Sequence, residues 1–370
     1  MKVQRFAQCV MTVVFATAIA TMGCESSSGD GGTGGGGTGG GGTGGGGAGG
    51  EAGTGGTGGT GGVIGGVVDL NDPADRALFY MMGEPLVLEI TNVTVSSPPV
   101  IEFTASTEGG ATVLGVGTGT DPDDPRAQGS VRGMFDKLIP AADGARSRWV
   151  SYINDDEAPP LHATREEGEV VDNGDGSYTF TYVTDPMNVT DPVAVEWEPD
   201  LTHRASMEIR FSDRNLNPDN PHFDFVPAGG DVTDTKNIAD TALCNNCHQR
   251  LAAHGNGRFT VENCVTCHNS STAGEEEPAV GAVAGALTNV DLSHLVHGIH
   301  SAQLTEFDEV VYPHLVGSVI DCASCHAASD ATPDGDRWTE SVDALSCGGC
   351  HMDGLEVVEV DADTWLATYA

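Results

Sequence analysis

Four times the chain reads Cys-x-x-Cys-His: at Cys244, Cys247 and His248; at Cys264, Cys267 and His268; at Cys322, Cys325 and His326; and at Cys347, Cys350 and His351. Two thiols three residues apart on a helical turn can form thioethers to the two vinyl groups on one edge of a porphyrin, and the adjacent imidazole then meets the iron. That is the attachment signature of c-type haem. The competing chemistry is zinc, because Cys244, Cys247, Cys264 and Cys267 have the spacing of a four-thiolate ribbon, as do Cys322, Cys325, Cys347 and Cys350. Such a ribbon has no use for the histidines. Histidine is 12 of 370 residues, so its placement directly after all four pairs by chance is on the order of one in a million. A disulfide framework suits eight cysteines outside the cytoplasm but leaves the same histidines unexplained.

The sixth ligand decides whether an iron only passes electrons or also binds small molecules. Besides the four proximal histidines, the segment holds His254, His294, His297, His300 and His314, five candidates for four irons. His294, His297 and His300 stand at helical i, i+3 spacing, so one helix can feed neighbouring haems. Methionine ligation rests on Met352 alone, the one methionine of the segment. Bis-histidine ligation implies low reduction potentials and an electron carrier rather than an enzyme. A reductase of nitrite, hydroxylamine or a similar small substrate needs an open or lysine-filled iron, and the segment has just one lysine, Lys236. A zinc-stabilised binding module is the third class.

These motifs sit in a stretch of about 110 residues with few aromatics and many Gly and Ala, too little hydrophobic side chain for an ordinary core. Haem is the missing core. Upstream, residues 67–231 hold no cysteine and alternate short apolar runs with turn residues, the pattern of a β-sandwich or small barrel. Leu86–Ile90, Val100–Thr104, Tyr178–Tyr182 and Ala205–Phe211 are the clearest strands, with a tight turn at Asn173–Gly176. Asp121, Asp123 and Asp124, or Asp172 and Asp175, are candidate calcium ligands, although neither run has the spacing of a calcium loop and plain turns use the same residues.

At the N-terminus, Lys2 and Arg5 precede an apolar run from Phe6 to Met22, a secretory signal over residues 1–23 rather than a membrane span. Cys24 follows Thr21-Met22-Gly23, a loose lipobox, and is the expected lipidation site. Residues 25–66 are almost entirely Gly, Thr and Ser, a flexible tether reaching on the order of 35 Å from a membrane surface. With 54 acidic against 16 basic residues and a formal charge of −38, nucleic acid is excluded as a partner and a partner met through charge should be cationic.

Beyond the motifs, the chain resembles the OmcA/MtrC-type outer-surface multihaem cytochromes. The resemblance rests on Cys244-Asn245-Asn246-Cys247-His248 running into Leu251 and His254-Gly255, on Arg258, and on Cys264-Val265-Thr266-Cys267-His268-Asn269. It extends to His297-Gly298-Ile299-His300, Asp224-Phe225-Val226-Pro227, Asp136-Lys137-Leu138, Trp149-Val150-Ser151-Tyr152, Gly176-Ser177-Tyr178 and Thr202-His203-Arg204. It implies an all-β domain (67–231), then a tetrahaem c-type cytochrome domain (232–355) with short helices and little regular structure, and a C-terminal tail (356–370). It further implies an outer-membrane, cell-surface location. The partners would be other c-type cytochromes or a membrane conduit, with metal oxides, chelated metals or flavins as extracellular acceptors. Longer members carry two domains of each kind, whereas this chain has one. If Cys24 is the anchor, Cys24→Ser should move the protein from the membrane to the soluble exported fraction on cell fractionation.

Overall fold

The computed structural model describes residues 66–119, 123–142, 146–155, 162–269, 272–274, 288–304, 306–307, 310–311, 322–330, 332–339, 344–350, 355–361 and 364–369. The signal, Cys24, the tether up to residue 65, Asp121, His314 and His351 lie outside the described residues. Residues 60–370 form one compact unit, so the β-rich and Cys-x-x-Cys-His segments pack together.

The β-rich segment comprises β1 (Val67–Asp69), α1 (Pro73–Met82), β2 (Leu86–Thr94), β3 (Val100–Thr107), β4 (Thr112–Leu114), β5 (Ser130–Ile139), β6 (Arg148–Ser151), β7 (Glu166–Glu167), β8 (Glu169–Asp172), β9 (Ser177–Thr181), β10 (His203–Arg210) and β11 (His222–Phe225). One sheet runs β1-β4-β3-β9-β8 with β2 also on β3, and the other runs β11-β10-β5-β6 with β7 on β5. Ile101, Phe103, Tyr178 and Phe180 of the first sheet share a core with Phe135, Ala205, Met207 and Ile209 of the second. The hydroxyl of Tyr182, just past β9, donates to Met134 O on β5 at 2.7 Å and ties the sheets together. The architecture is a sandwich.

Helix α1 breaks the all-strand expectation. Asp72 caps it by accepting from the Ala74 and Asp75 amides, Pro73 opens it, and Gly83 closes it at φ 70°. Phe79 is its buried anchor. The stop at Gly83 needs the left-handed region, where a Cβ would be strained.

The remaining elements are short: α2 (Thr241–His248), α3 (Val261–Cys267), β12 (Ala273–Gly274), β13 (Thr288–Asn289), α4 (Leu292–His300), β14 (Glu306–Phe307), β15 (Val310–Val311), α5 (Ala344–Gly348), β16 (Leu355–Asp361) and β17 (Thr364–Tyr369). The last two pair as an antiparallel hairpin in the stretch expected to be a tail. Their β-branched and aromatic residues, Val357, Val358, Val360, Trp365 and Tyr369, favour strands. Among the described residues no helix is long and apolar enough to cross a membrane.

Strand β10 joins the two halves. Its Ala205, Met207 and Ile209 enter the sandwich core, while Arg204, Ser206 and Glu208 alternate to the other face and are just as buried. The second segment covers them. Arg204 forms a bidentate pair with Asp224, both contacts at 2.7 Å, and donates to Glu262 O on α3 at 3.0 Å and to Asn237 Oδ1 at 3.1 Å. Its guanidinium also lies 4.4 Å from the ring centre of Trp149. Ser206 accepts from Asn263 on α3, and Glu208 from Arg258 at 3.0 Å. Arg146 reaches Asp291, the cap of α4, at 2.7 Å. Replacing Arg204 by methionine strands the Asp224 carboxylate and the α3 carbonyl, and should lower unfolding stability by about 3–5 kcal/mol in denaturant titration. Arg204→Lys should recover only part of it, because an ammonium cannot make the planar bidentate contact.

Candidate haem-binding site

Each described Cys-x-x-Cys-His motif lies on a short helical turn. Cys244, Cys247 and His248 are on α2, which begins where Asp240 accepts from Ala242 N at 2.7 Å. Cys264 and Cys267 are on α3, with His268 at its C-terminal cap. Cys322 opens a 3-10 turn, Cys322–Ser324, that leads into Cys325 and His326. Cys347 is on α5, and Cys350 follows it.

The eight motif cysteines are free in the structure and at least partly accessible. Among the described residues no group of three or more His, Cys, Asp or Glu side chains is placed to hold a metal ion. Burial pushes the Cys264 thiol up to about 12.

The imidazoles come together in pairs drawn from different elements. His248 and His300 have ring centres 6.0 Å apart, His254 and His268 5.7 Å, and His297 and His326 6.1 Å. An imidazole nitrogen binds a metal at about 2 Å, so two rings on opposite sides of one iron hold their centres about 6 Å apart. The residues fit the group. In the second pair the two Nε2 atoms face each other at 3.4 Å, short of the about 4 Å that two iron bonds would span.

Tautomers follow from the hydrogen bonds. A carbonyl oxygen only accepts, so Nδ1 donates in His268 to Val290 O (2.9 Å), in His297 to Ser346 O (3.0 Å), in His300 to Val296 O (2.8 Å) and in His326 to Ile238 O (3.0 Å). In all four this leaves Nε2 with its lone pair, the arrangement that orients a metal-binding histidine. Burial lowers the pKa of His268 and His326. His254 is open to solvent on one side, yet burial on the other, with the charge of Arg258, pushes it down to about 3. Neutral imidazole is the form that ligates.

Local backbone explains how His254 arrives. Ala253 and Arg258 bridge across a turn in which His254, Gly255 and Asn256 all have positive φ, 49°, 67° and 59°. Asn217 and Asn220 of the β segment clamp the turn by donating to Asn256 O and Gly257 O. A left-handed histidine is a strained position that the surrounding contacts must hold.

Helix α4 places His297 and His300 toward two different partners, as the i, i+3 spacing anticipates. His294 is on the same helix and buried. The fourth motif docks here: a Cβ at Gly349 would lie 2.8 Å from His294 O and 3.0 Å from Gly298 N, an approach that glycine permits. Ser301 Oγ donates to Gly349 O at 3.2 Å.

Of the candidate calcium ligands, Asp172 accepts from the Gly115 and Gly174 amides and Asp175 from Ser177. Asp124 accepts from Arg126 N and from Ser212. These are turn and loop contacts. His203, part of the Thr202-His203-Arg204 resemblance, faces the sandwich, where burial pushes it down to about 4 and the Tyr152 hydroxyl meets its Nε2 at 2.9 Å. Two features were missed in the sequence: Trp338, stacked 6.0 Å from His326, and the arginines around Glu208. The alternating polar face of β10 was the available signal for the second.

Two family descriptions match: "Outer membrane cytochrome MtrC/MtrF-like, domains II/IV" over residues 236–367, and "OmcA-like N-terminal domain" over residues 157–232. The chain is 31% identical over 286 residues to the multihaem cytochrome MtrC of Shewanella baltica, covering 73% of this chain and 38% of that protein. Among solved structures it is similar to the outer-membrane decahaem cytochrome OmcA, with a TM-score of 0.58 and 26% identity over 77% of this chain and 44% of that one. MtrC of Shewanella baltica superposes with a TM-score of 0.52 and 25% identity over 72% of this chain and 39% of that one. Fold and matches together define a multihaem c-type cytochrome. The chain belongs to the OmcA/MtrC-type family, and it spans about two fifths of the length of the relatives it matches.

Proposed function

We propose that this chain is a tetrahaem electron carrier, held at the outer surface by lipid on Cys24, that relays respiratory electrons toward acceptors outside the cell. The facing imidazole pairs carry the reading. Bound haem would supply a one-electron couple at each site, and the protein's part is to fix and insulate it. The cysteines at 244, 247, 264, 267, 322, 325, 347 and 350 are the thioether tethers, and His248, His268, His326 and His351 the proximal ligands. His300, His254 and His297 are the distal ligands of the first three. For the fourth, the docking of α5 on α4 favours His294 over His314.

With a second imidazole facing each of His248, His268 and His326, those three sites would leave no place on a bound iron for a small substrate, so the chain would move electrons without bond chemistry. The body carries a large negative charge, which suits a basic redox partner, another cytochrome or a membrane conduit. Ferric minerals, chelated metals and flavins are the acceptor class.

A pyridine haemochrome assay with metal analysis, on protein matured in a host that attaches haem c, should give four haems per chain, no zinc, and a reduced spectrum unmoved by carbon monoxide. A carbon monoxide shift would expose an open iron and support a small-molecule reductase instead. Zinc without haem would leave a zinc-stabilised module. His297→Met should raise one reduction potential and leave the other three in place, and an unchanged titration would remove His297 from the ligand set.

A further inference from the structure

Glu208 is completely buried and meets four guanidinium groups: Arg258 at 3.0 Å, Arg165 at 3.3 Å, Arg132 at 4.0 Å, and Arg210 in close contact. Their side chains are 8, 26, 18 and 15% exposed. Four positive charges against one negative leave an excess of three. Among the described residues, only Arg132 has a second carboxylate, the largely exposed Glu167 at 2.8 Å. The neighbouring buried acid, Asp136, does not offset the excess, because burial raises its pKa well above the usual carboxylate range and favours the neutral form. A chain with 54 acids and 16 bases has placed a quarter of its bases here. One carboxylate would have been satisfied by fewer.

The cluster abuts one Cys-x-x-Cys-His motif. Arg258 closes the turn that presents His254 and pairs with Glu208 at 3.0 Å, so the cluster stands beside that histidine. Arg210 packs its guanidinium against Gly257 in the same turn. Among the described residues, no other carboxylate gathers so many guanidinium groups. Near Cys347, Arg146 is neutralised by Asp291 at 2.7 Å.

We propose that the haem held by Cys264, Cys267, His254 and His268 has the highest reduction potential in the chain, because the arginine cluster around Glu208 stabilises its extra electron. This rests on the tetrahaem reading above. Reduction adds one electron and one negative charge to the site, and each cation held in a poorly solvated place favours that state. Within a partly reduced chain, one electron leaves a ferrous haem at another motif and reduces the ferric haem here. No bond forms or breaks and no proton moves. The first electron taken up therefore rests against the β segment, and the other three haems form the lower-potential path.

The test is a spectroelectrochemical titration of the full-length holoprotein, with His254→Met used to mark which wave belongs to this site. The marked wave should be the highest of the four. Arg258→Gln should lower the reduction equilibrium constant of that wave by about tenfold, or about 59 mV for a one-electron couple, and leave the others unmoved. Arg165→Gln, more exposed and less disruptive should Arg258→Gln fail to fold, should shift the same wave in the same direction by less. Glu208→Gln should shift it upward. A mark on any lower wave, or a highest wave unmoved in both arginine variants with all four haems in place, would overturn the proposal alone. Free thiols at Cys264 and Cys267 in the unsubstituted holoprotein, read by peptide mass, would overturn the tetrahaem reading beneath it.

Discussion

The structure depends on a polar surface being buried. β10 is a strand of ordinary alternation, and its Arg204, Ser206 and Glu208 would face water in an isolated sandwich. Here they lie under α3 and the Ala253–Arg258 turn, each with a partner from the second segment. A buried guanidinium or carboxylate without its partner is expensive, so these contacts demand one docking register. That register carries Cys264 and Cys267 on α3 and His254 on the clamped turn. The sandwich thus acts as a jig for the imidazoles, and the geometry of the second pair follows from it.

The two segments solve the core problem differently. The hydrophobic cluster of the sandwich runs from Val68 to Leu216 and includes most of the large buried apolar side chains. Among the described residues beyond it, the buried apolar side chains are Phe259, Val290, Leu295 and Leu304, outnumbered by buried polar ones such as Asn263, Thr266, Asn269 and Asp291. Helices of five to nine residues are marginal on their own. Covalent porphyrins would supply the apolar surface these turns lack, and hydrogen bonds from Nδ1 to backbone carbonyls fix the rings of His268, His297, His300 and His326. Cofactor and fold are then parts of one packing solution.

The strands were legible because Val100–Thr104, Tyr178–Tyr182 and Ala205–Phe211 alternate with a period of two and carry aromatics. Their observed ends differ by a few residues, since pairing rather than propensity sets where a ladder stops. Helix α1 was legible as well, in Asp72-Pro73 and Gly83, but its ten residues were read against a strand-rich background. The closing hairpin, β16 with β17, has a strand-like composition that the lack of cysteines and histidines obscured.

What the sequence determined by itself is local: the four Cys-x-x-Cys-His motifs, because that is a contiguous spacing, and the presence of His297 and His300 one turn apart on α4, because i, i+3 is a property of any helix. The pairing is not local. His254 meets His268 across a left-handed turn, His300 meets His248 and His297 meets His326 across long stretches of chain, and no spacing rule relates them. The charge around Glu208 is also tertiary, gathered from β5, β10, the Arg165 loop and the Arg258 turn. In sequence these are scattered arginines in an acidic protein. Only folding removes the water between them, and it is the loss of that screening that turns four surface-type residues into a local field.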